Sequence, residues 1–213
     1  MIMRIVAAGD TFLEFPPTKQ LITDIGEGAV LFSEGSLGGK HWNVHQLTEL
    51  TRGKMMTIVG ERDGRIWLLR NGEHRRIQIS LSDLHDRDDF DAFDELVDIG
   101  YRLHEHCMAL PRICADGDIP YEGEGQADVL LIASGGCDWR ANIEQLLDVH
   151  THALTDEALI VQCDHSRGPK FIYSVAGNAF VGEEMQSSLG KSNTYIAYDY
   201  VPKQRRRKRT TRP

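Results

Sequence analysis

The chain has 213 residues, 41% of them hydrophobic and 8% aromatic, with a formal net charge of -8. That is enough apolar material for one sizeable core or two small ones, and it excludes a fibrous or wholly disordered chain. No apolar run reaches the roughly 18 residues of a membrane-spanning helix, the opening MIMRIVAAGD lacks the regions of a signal peptide, and the four cysteines show no disulfide-framework spacing, so the expectation is a cytoplasmic protein with reduced thiols and no membrane contact.

In chain order, MIMRIVAAG predicts a strand, LITDIGEGAVLFSEG a strand pair across a glycine turn, and KHWNVHQLTEL a short helix. MMTIVGE, RIWLLR and RRIQISL follow as three strands. They are separated by RDG and NGEH, and Asn-Gly between apolar runs is a strong hairpin signal because both residues tolerate positive φ. Over DDFDAFDELVDIGYRLHEHCMAL the apolar positions Phe90, Phe93, Leu96, Val97, Tyr101 and Leu103 recur at a helical period, with acids in the first turn. PRICADGDIPYEGEGQ is rich in Gly, Pro and acids and reads as a linker or long loop. Beyond it ADVLLIAS is a buried strand, DWRANIEQLLDVHTHAL an amphipathic helix, ALIVQCD and KFIYSVA a strand pair, and TYIAYDY a last strand.

The second half repeats the first. VLFSEGSLGGKHW, a helix and MTIVGERDGRIWLLRNG run parallel to VLLIASGGCDW, a helix and LIVQCDHSRGPKFIYSVAGN. Each copy is a strand, a Gly-Gly turn, a Trp-led helix and two strands. The expected class is therefore α+β with internally duplicated strand-helix-strand-strand units: residues 1-110 form the first half, 111-126 the linker, 127-202 the second half and 203-213 a tail. The glycines Gly38, Gly39, Gly135 and Gly136 have two readings, sharp turns into a helix or backbone N-H groups that bind an anion. Neither copy carries a phosphate-loop or dinucleotide fingerprint, so no cofactor is expected. The run HEHCMALPRIC, with HTH and CDH further on, supplies His and Cys at spacings that match no zinc module. The expectation is no metal, with the cysteines packed as small hydrophobes.

Charge is segregated. KQRRRKRTTRP places Lys203, Arg205, Arg206, Arg207, Lys208, Arg209 and Arg212 in a tail with no acid, leaving 17 basic against 32 acidic side chains in residues 1-202. Such a run stays extended and can neutralise nucleic-acid phosphates or an acidic partner surface.

The run ALIVQCDHSRGPKFIYSVAGNAFVGEEMQSSLGKSNTYIAYDY resembles the second half of proteasome subunits, RIVAAGDT resembles an early strand of that family, and TKQLITDIGEGAVLFSEGSLGG its Lys-led strand pair. The resemblance implies an αββα sandwich of the N-terminal-nucleophile hydrolase class, hairpins in both sheets and assembly into a homo-oligomer or a larger complex. Asp10 would match the family's catalytic aspartate and Lys19 its lysine. The strand that carries the family's nucleophile is missing, so the implied protein is a catalytically silent scaffold or assembly protein docking through its basic tail. The alternative is a hydrolase of amide or phosphate bonds with its site near the duplicated Gly-Gly turns.

Overall fold

The computed structural model describes residues 2-9, 15-38, 44-79, 101-104, 107-120, 126-164, 169-186 and 194-202. Among them, seven strands form one sheet in the order β12-β13-β1-β2-β3-β4-β5 and six form a second in the order β11-β10-β9-β8-β7-β6. The strands are β1 Met3–Ala7, β2 Gly28–Leu31, β3 Met56–Arg62, β4 Arg65–Arg70, β5 Glu73–Ile79, β6 Tyr101–His104, β7 Cys107–Ile113, β8 Ala127–Ala133, β9 Leu154–Cys163, β10 Lys170–Ser174, β11 Ala179–Val181, β12 Glu183–Gln186 and β13 Thr194–Tyr200. The helices are α1 Phe15–Ile25, α2 Val44–Leu50 and α3 Ile143–His150. The α+β class holds.

In each sheet three neighbouring strands are parallel, β1 with β2 and β3 in one and β7 with β8 and β9 in the other. Parallel strands covered on both faces read as continuous apolar runs, and every residue of β2 and β8 is buried. Strand alternation divides the core into layers. Ile5, Leu31 and Val59 of the first sheet meet Ile113, Val129, Leu131 and Val161 of the second. On the outer face of the first sheet, Val6, Val30 and Ile58 pack under Leu21 and Ile22 of α1 and Leu47 of α2. On the outer face of the second, Leu130, Ile132 and Ile160 pack under Leu146 of α3 and Trp139.

The structure corrects the sequence reading in three stretches. Residues 19-25, expected as a strand, lie in α1. Pro16 and Pro17 fall in the first turn, where backbone N-H groups have no intrahelical partner to lose, and Thr18, Leu21, Ile22 and Ile25 are buried at helical spacing. The helix stops at Gly26, whose φ of +74° is the left-handed value of a helix C-terminus and whose N-H donates to Ile22 O at 3.2 Å. Tyr101–His104 and residues 107-110, expected in the last part of a helix, lie in strands β6 and β7; the earlier part of that expected helix, residues 88-100, lies outside the described residues. Pro111–Ile113, expected in a loop, completes β7 and is buried. The edge strand β12 was not foreseen. It carries Glu183 and Glu184, and all its residues are exposed.

Two positions fix how tightly the parallel strands and the turn beyond β7 are held. At Gly28 φ is +145°, and a Cβ there would lie 2.0 Å from Arg4 O on β1. Beyond β7 a 3-10 helix spans Cys114–Asp118, and His150, fully buried at the end of α3, has its Nε2 2.9 Å from Gly117 O. Burial first, and then the Arg112 guanidinium, lowers the His150 pKa to about 4, against a weaker opposing effect of the Gly117 carbonyl.

Gly28→Ala is therefore expected to cost on the order of 3 kcal/mol, because backbone must move. Gly26→Ala, with open space around it, should cost only about 1 kcal/mol of left-handed backbone strain. Urea unfolding midpoints rank the two, and equal losses would contradict the close packing of β1 on β2. For His150 the folded chain stays neutral while the unfolded chain takes up a proton, so stability is full above the ordinary pKa of 6.5 and falls as the pH drops from there towards 4. The loss is on the order of 3 kcal/mol at most. A urea series between pH 7.5 and 4.5 should show this slope in the native chain and a flatter one in His150→Gln.

Candidate functional site

The carboxyl ends of the parallel strands of both sheets meet at one end of the molecule. The loop after β2 touches the loop after β8 through Glu34 N-H, which donates to Ser134 O at 3.2 Å. The chain after β1 touches the end of β9 through Gly9 N-H, which donates to Cys163 Sγ at 2.8 Å. Crevices outside the carboxyl ends of parallel strands are where such sheets place ligands, because loops diverge there while the strands hold them fixed.

At that end β7 leads into Cys114, whose φ is +44°. A non-glycine residue there is strained, and such strain collects where a side chain must be presented at a sharp turn. The turn is braced on all sides. Trp139 Nε1-H donates to Cys114 O at 3.0 Å, and a Cβ on Gly117 would lie 2.8 Å from the Trp139 ring. The buried Gln162 in turn fixes Trp139, accepting its backbone N-H at 3.1 Å while its own amide donates to Cys137 O. Cys114 is half-buried, and its sulfur lies 2.9 Å from that of Cys137, which is also half-buried.

Electrostatics separate the two thiols. The Cys137 pKa is pushed up to about 12, first by burial, then by the contact with Cys114, with the fields of Cys114, Glu34 and Asp164 adding to it. At neutral pH Cys137 keeps its proton, and either sulfur can donate in the contact between the two. The other two cysteines are buried: Cys163 is pushed up to about 12 by burial, with the Gly9 N-H opposing, and Cys107 lies in the core between the sheets.

Three acids lie at the same end of the sheets, and two of them, Glu34 and Asp164, act on Cys137. Glu34 follows β2, and its Oε2 is buried without a hydrogen-bond partner among the described residues. A carboxylate oxygen so placed has lone pairs left for a proton. Asp164 follows β9 and accepts from Gly136 N-H and from Ser134 Oγ-H, both at 3.1 Å. Glu61 ends β3 and accepts from Gly35 N-H and Gly64 N-H. Its pKa is raised, chiefly by burial, and those two N-H groups oppose the rise. A cavity of about 260 Å³ opens beside the pair, lined by Ala115, Asp118, Cys137, Asp138, Asn142 and Gln145. A larger one, about 800 Å³, lies at the amino ends of the strands beside Met3, Gly28 and Thr57 and is lined by no cysteine. Of the two, the smaller is the one that reaches a cysteine, Cys137.

The residues singled out from sequence are dispersed. Asp10, Gly39 and the basic tail from Lys203 to Arg212 lie outside the described residues. Lys19 is exposed on α1, well inside a helix where the resemblance required a strand. Gly38 ends a short 3-10 helix, Ser36–Gly38. Gly136 does bind an anion, but an internal one, the Asp164 carboxylate; Gly135 adjoins it in the same turn. Cys114 and Cys137, read as packing residues, carry the reactive geometry. Their signal in the sequence is a cysteine between a strand-forming run, MALPRI, and a turn, ADGD. Among the described residues no helix is long and apolar enough to cross a membrane, and no three His, Cys, Asp or Glu side chains are placed to share a metal ion.

No protein-family model matches the chain, and no curated protein matches it in sequence. Solved structures resemble it in fold. Saccharomyces cerevisiae Nit3, a member of branch 10 of the nitrilase superfamily, aligns with a TM-score of 0.52 at 11% identity over 93% of this chain and 89% of its own. A glutamine-dependent NAD(+) synthetase from Cytophaga hutchinsonii aligns with a TM-score of 0.51 at 12% identity over 93% of this chain, which spans only 43% of the synthetase. These likenesses overturn the proteasome-like expectation. The physical reason is visible in the sheets, where helix α1 and the parallel strands β1, β2 and β3 stand in place of the expected strand pair and hairpins. With the resemblance goes the catalytically silent scaffold that rested on it. What the chain shares with these two proteins is the fold.

Proposed function

We propose that the chain is a cysteine hydrolase that cleaves the carbon-nitrogen bond of a small amide, with Cys114 as nucleophile and Glu34 as the proton acceptor. The observation that carries the reading is the strained, half-buried Cys114 just past the carboxyl end of β7, 2.9 Å from the sulfur of Cys137, on which Glu34 and Asp164 from two other parallel strands act. Two fold neighbours support it, one a member of the nitrilase superfamily and the other a synthetase dependent on glutamine, a carboxamide. The site adjoins the Gly135-Gly136 turn. The duplicated halves belong to the same proposal: each sheet runs through two parallel crossovers and then an antiparallel strand, and each places a glycine N-H on an acid at the end of its third parallel strand.

The chemistry follows from the groups present. Cys114 Sγ attacks the amide carbon while its proton passes to Glu34. Collapse of the adduct breaks the carbon-nitrogen bond, and Glu34 returns the proton to the departing amine. Water then attacks the thioester, with Glu34 taking its proton, and Cys114 is released with the carboxylic acid. The Cys137 sulfur, in contact with that of Cys114, helps hold the nucleophile in place for the attack.

Ammonia release from a panel of short carboxamides is the direct assay. Cys114→Ala should abolish turnover, and Glu34→Gln should lower kcat by roughly 10²- to 10⁴-fold with little change in KM, the usual worth of a general base. Turnover that survives Cys114→Ala would remove the assignment. In the native chain iodoacetamide should modify Cys114 first and leave Cys107 and Cys163 unmodified until the protein unfolds. Peptide mapping decides the order.

A further inference from the structure

Cys137 has a chemical capacity that hydrolysis does not use. Its sulfur is already in contact with Cys114, at 2.9 Å, and a disulfide bond of ~2.05 Å requires a closure of about 0.9 Å. Both residues are half-buried and so open to a small oxidant, while Cys107 and Cys163 are sealed in the interior. The segment bearing Cys137 is held from several sides, by Ser134 Oγ accepting its N-H at 3.1 Å and by Gln162 donating to its carbonyl. The two sulfurs are thus kept together by backbone anchored to different strands, and not by chance rotamers.

We infer that Cys114 and Cys137 form a reversible disulfide, an oxidation site in which Cys137 captures the oxidised nucleophile and switches the enzyme off. The inference rests on reading Cys114 as the reactive thiol. With a peroxide as oxidant the Cys114 thiolate attacks one peroxide oxygen, the oxygen-oxygen bond breaks, hydroxide leaves and takes up a proton, and Cys114 becomes a sulfenic acid. The Cys137 sulfur then attacks the Cys114 sulfur, the sulfur-sulfur bond forms and the sulfur-oxygen bond breaks. The Cys137 proton goes to the departing oxygen, which leaves as water. In total two thiols lose two electrons and two protons, and one peroxide becomes two waters. Burial holds Cys137 as a thiol until then, and its contact with Cys114 keeps it in place for the capture. An external dithiol reverses the bond. The capture protects as well as inhibits, because a sulfenic acid with no neighbour proceeds to the irreversible sulfinic acid.

The test is a hydrogen peroxide titration of the full chain, followed by thiol counting in denaturant and peptide mapping without reduction. The expected result is loss of two of the four thiols, one cross-linked peptide pair containing Cys114 and Cys137, and full recovery with dithiothreitol. Cys137→Ser under the same titration should instead accumulate Cys114 sulfinic acid that dithiothreitol does not reverse. Four free thiols after oxidation, a cross-link that includes Cys107 or Cys163, or full recovery of oxidised Cys137→Ser would each overturn the inference. A Cys114-Cys137 cross-link in a chain that releases no ammonia would leave the redox pair standing and remove the hydrolase reading; turnover dependent on Cys114 without a cross-link would do the reverse.

Discussion

The architecture at the carboxyl ends depends on buried carboxylates accepting hydrogen bonds from glycine N-H groups. Glu61 binds Gly35 and Gly64 in the first sheet, and Asp164 binds Gly136 in the second. A buried acid is costly unless its lone pairs are filled, and a backbone N-H in a tight turn is equally costly if left open. Pairing the two satisfies both requirements. It also anchors the loops after β2 and β8, which deliver Glu34 and Cys137, to the third parallel strand of each sheet. Of the turns read from sequence as places for an anion, the one at Gly136 is occupied by the protein's own Asp164.

Much of the fold was legible because its strands follow simple rules. The meander β3-β4-β5 stood out through its Asp-Gly and Asn-Gly turns, and β8 through an apolar run too short for a helix and bounded by turn residues. Where the reading failed, two patterns competed. Residues 19-25 combine Ile and Thr, which favour strands, with a burial period that only the covering of the first sheet reveals. Tyr101 and Leu103 continue a helical period from the preceding acidic stretch, yet pairing with β7 makes them strand. Tertiary contact decided against local preference in both cases.

The candidate site was less legible for a different reason. Strain at Cys114 is a property of φ, which composition does not encode, and Pro, Gly and acids after the strand made PRICADGD look like a loop from its first residue. The partnership of Cys114 with Cys137 spans 23 residues of sequence and is created by the parallel pairing of β7 with β8. Glu34 comes from the opposite sheet. A site divided between two sheets leaves no compact motif in the chain, so its chemistry emerges only when the inter-sheet core of Leu31, Ile113 and Leu131 sets the sheets face to face.

The exposed edge strand β12 bears on how copies of the molecule meet. Sheet edges offer unpaired backbone groups that invite another strand. Glu183 and Glu184 occupy that border, so two copies aligning edge to edge would bring glutamates against glutamates, a repulsive pairing. The acidic border thereby insulates this side of the sheet from ribbon-like growth, and crowding of the protein on itself is discouraged at the place where a β fold is most prone to it.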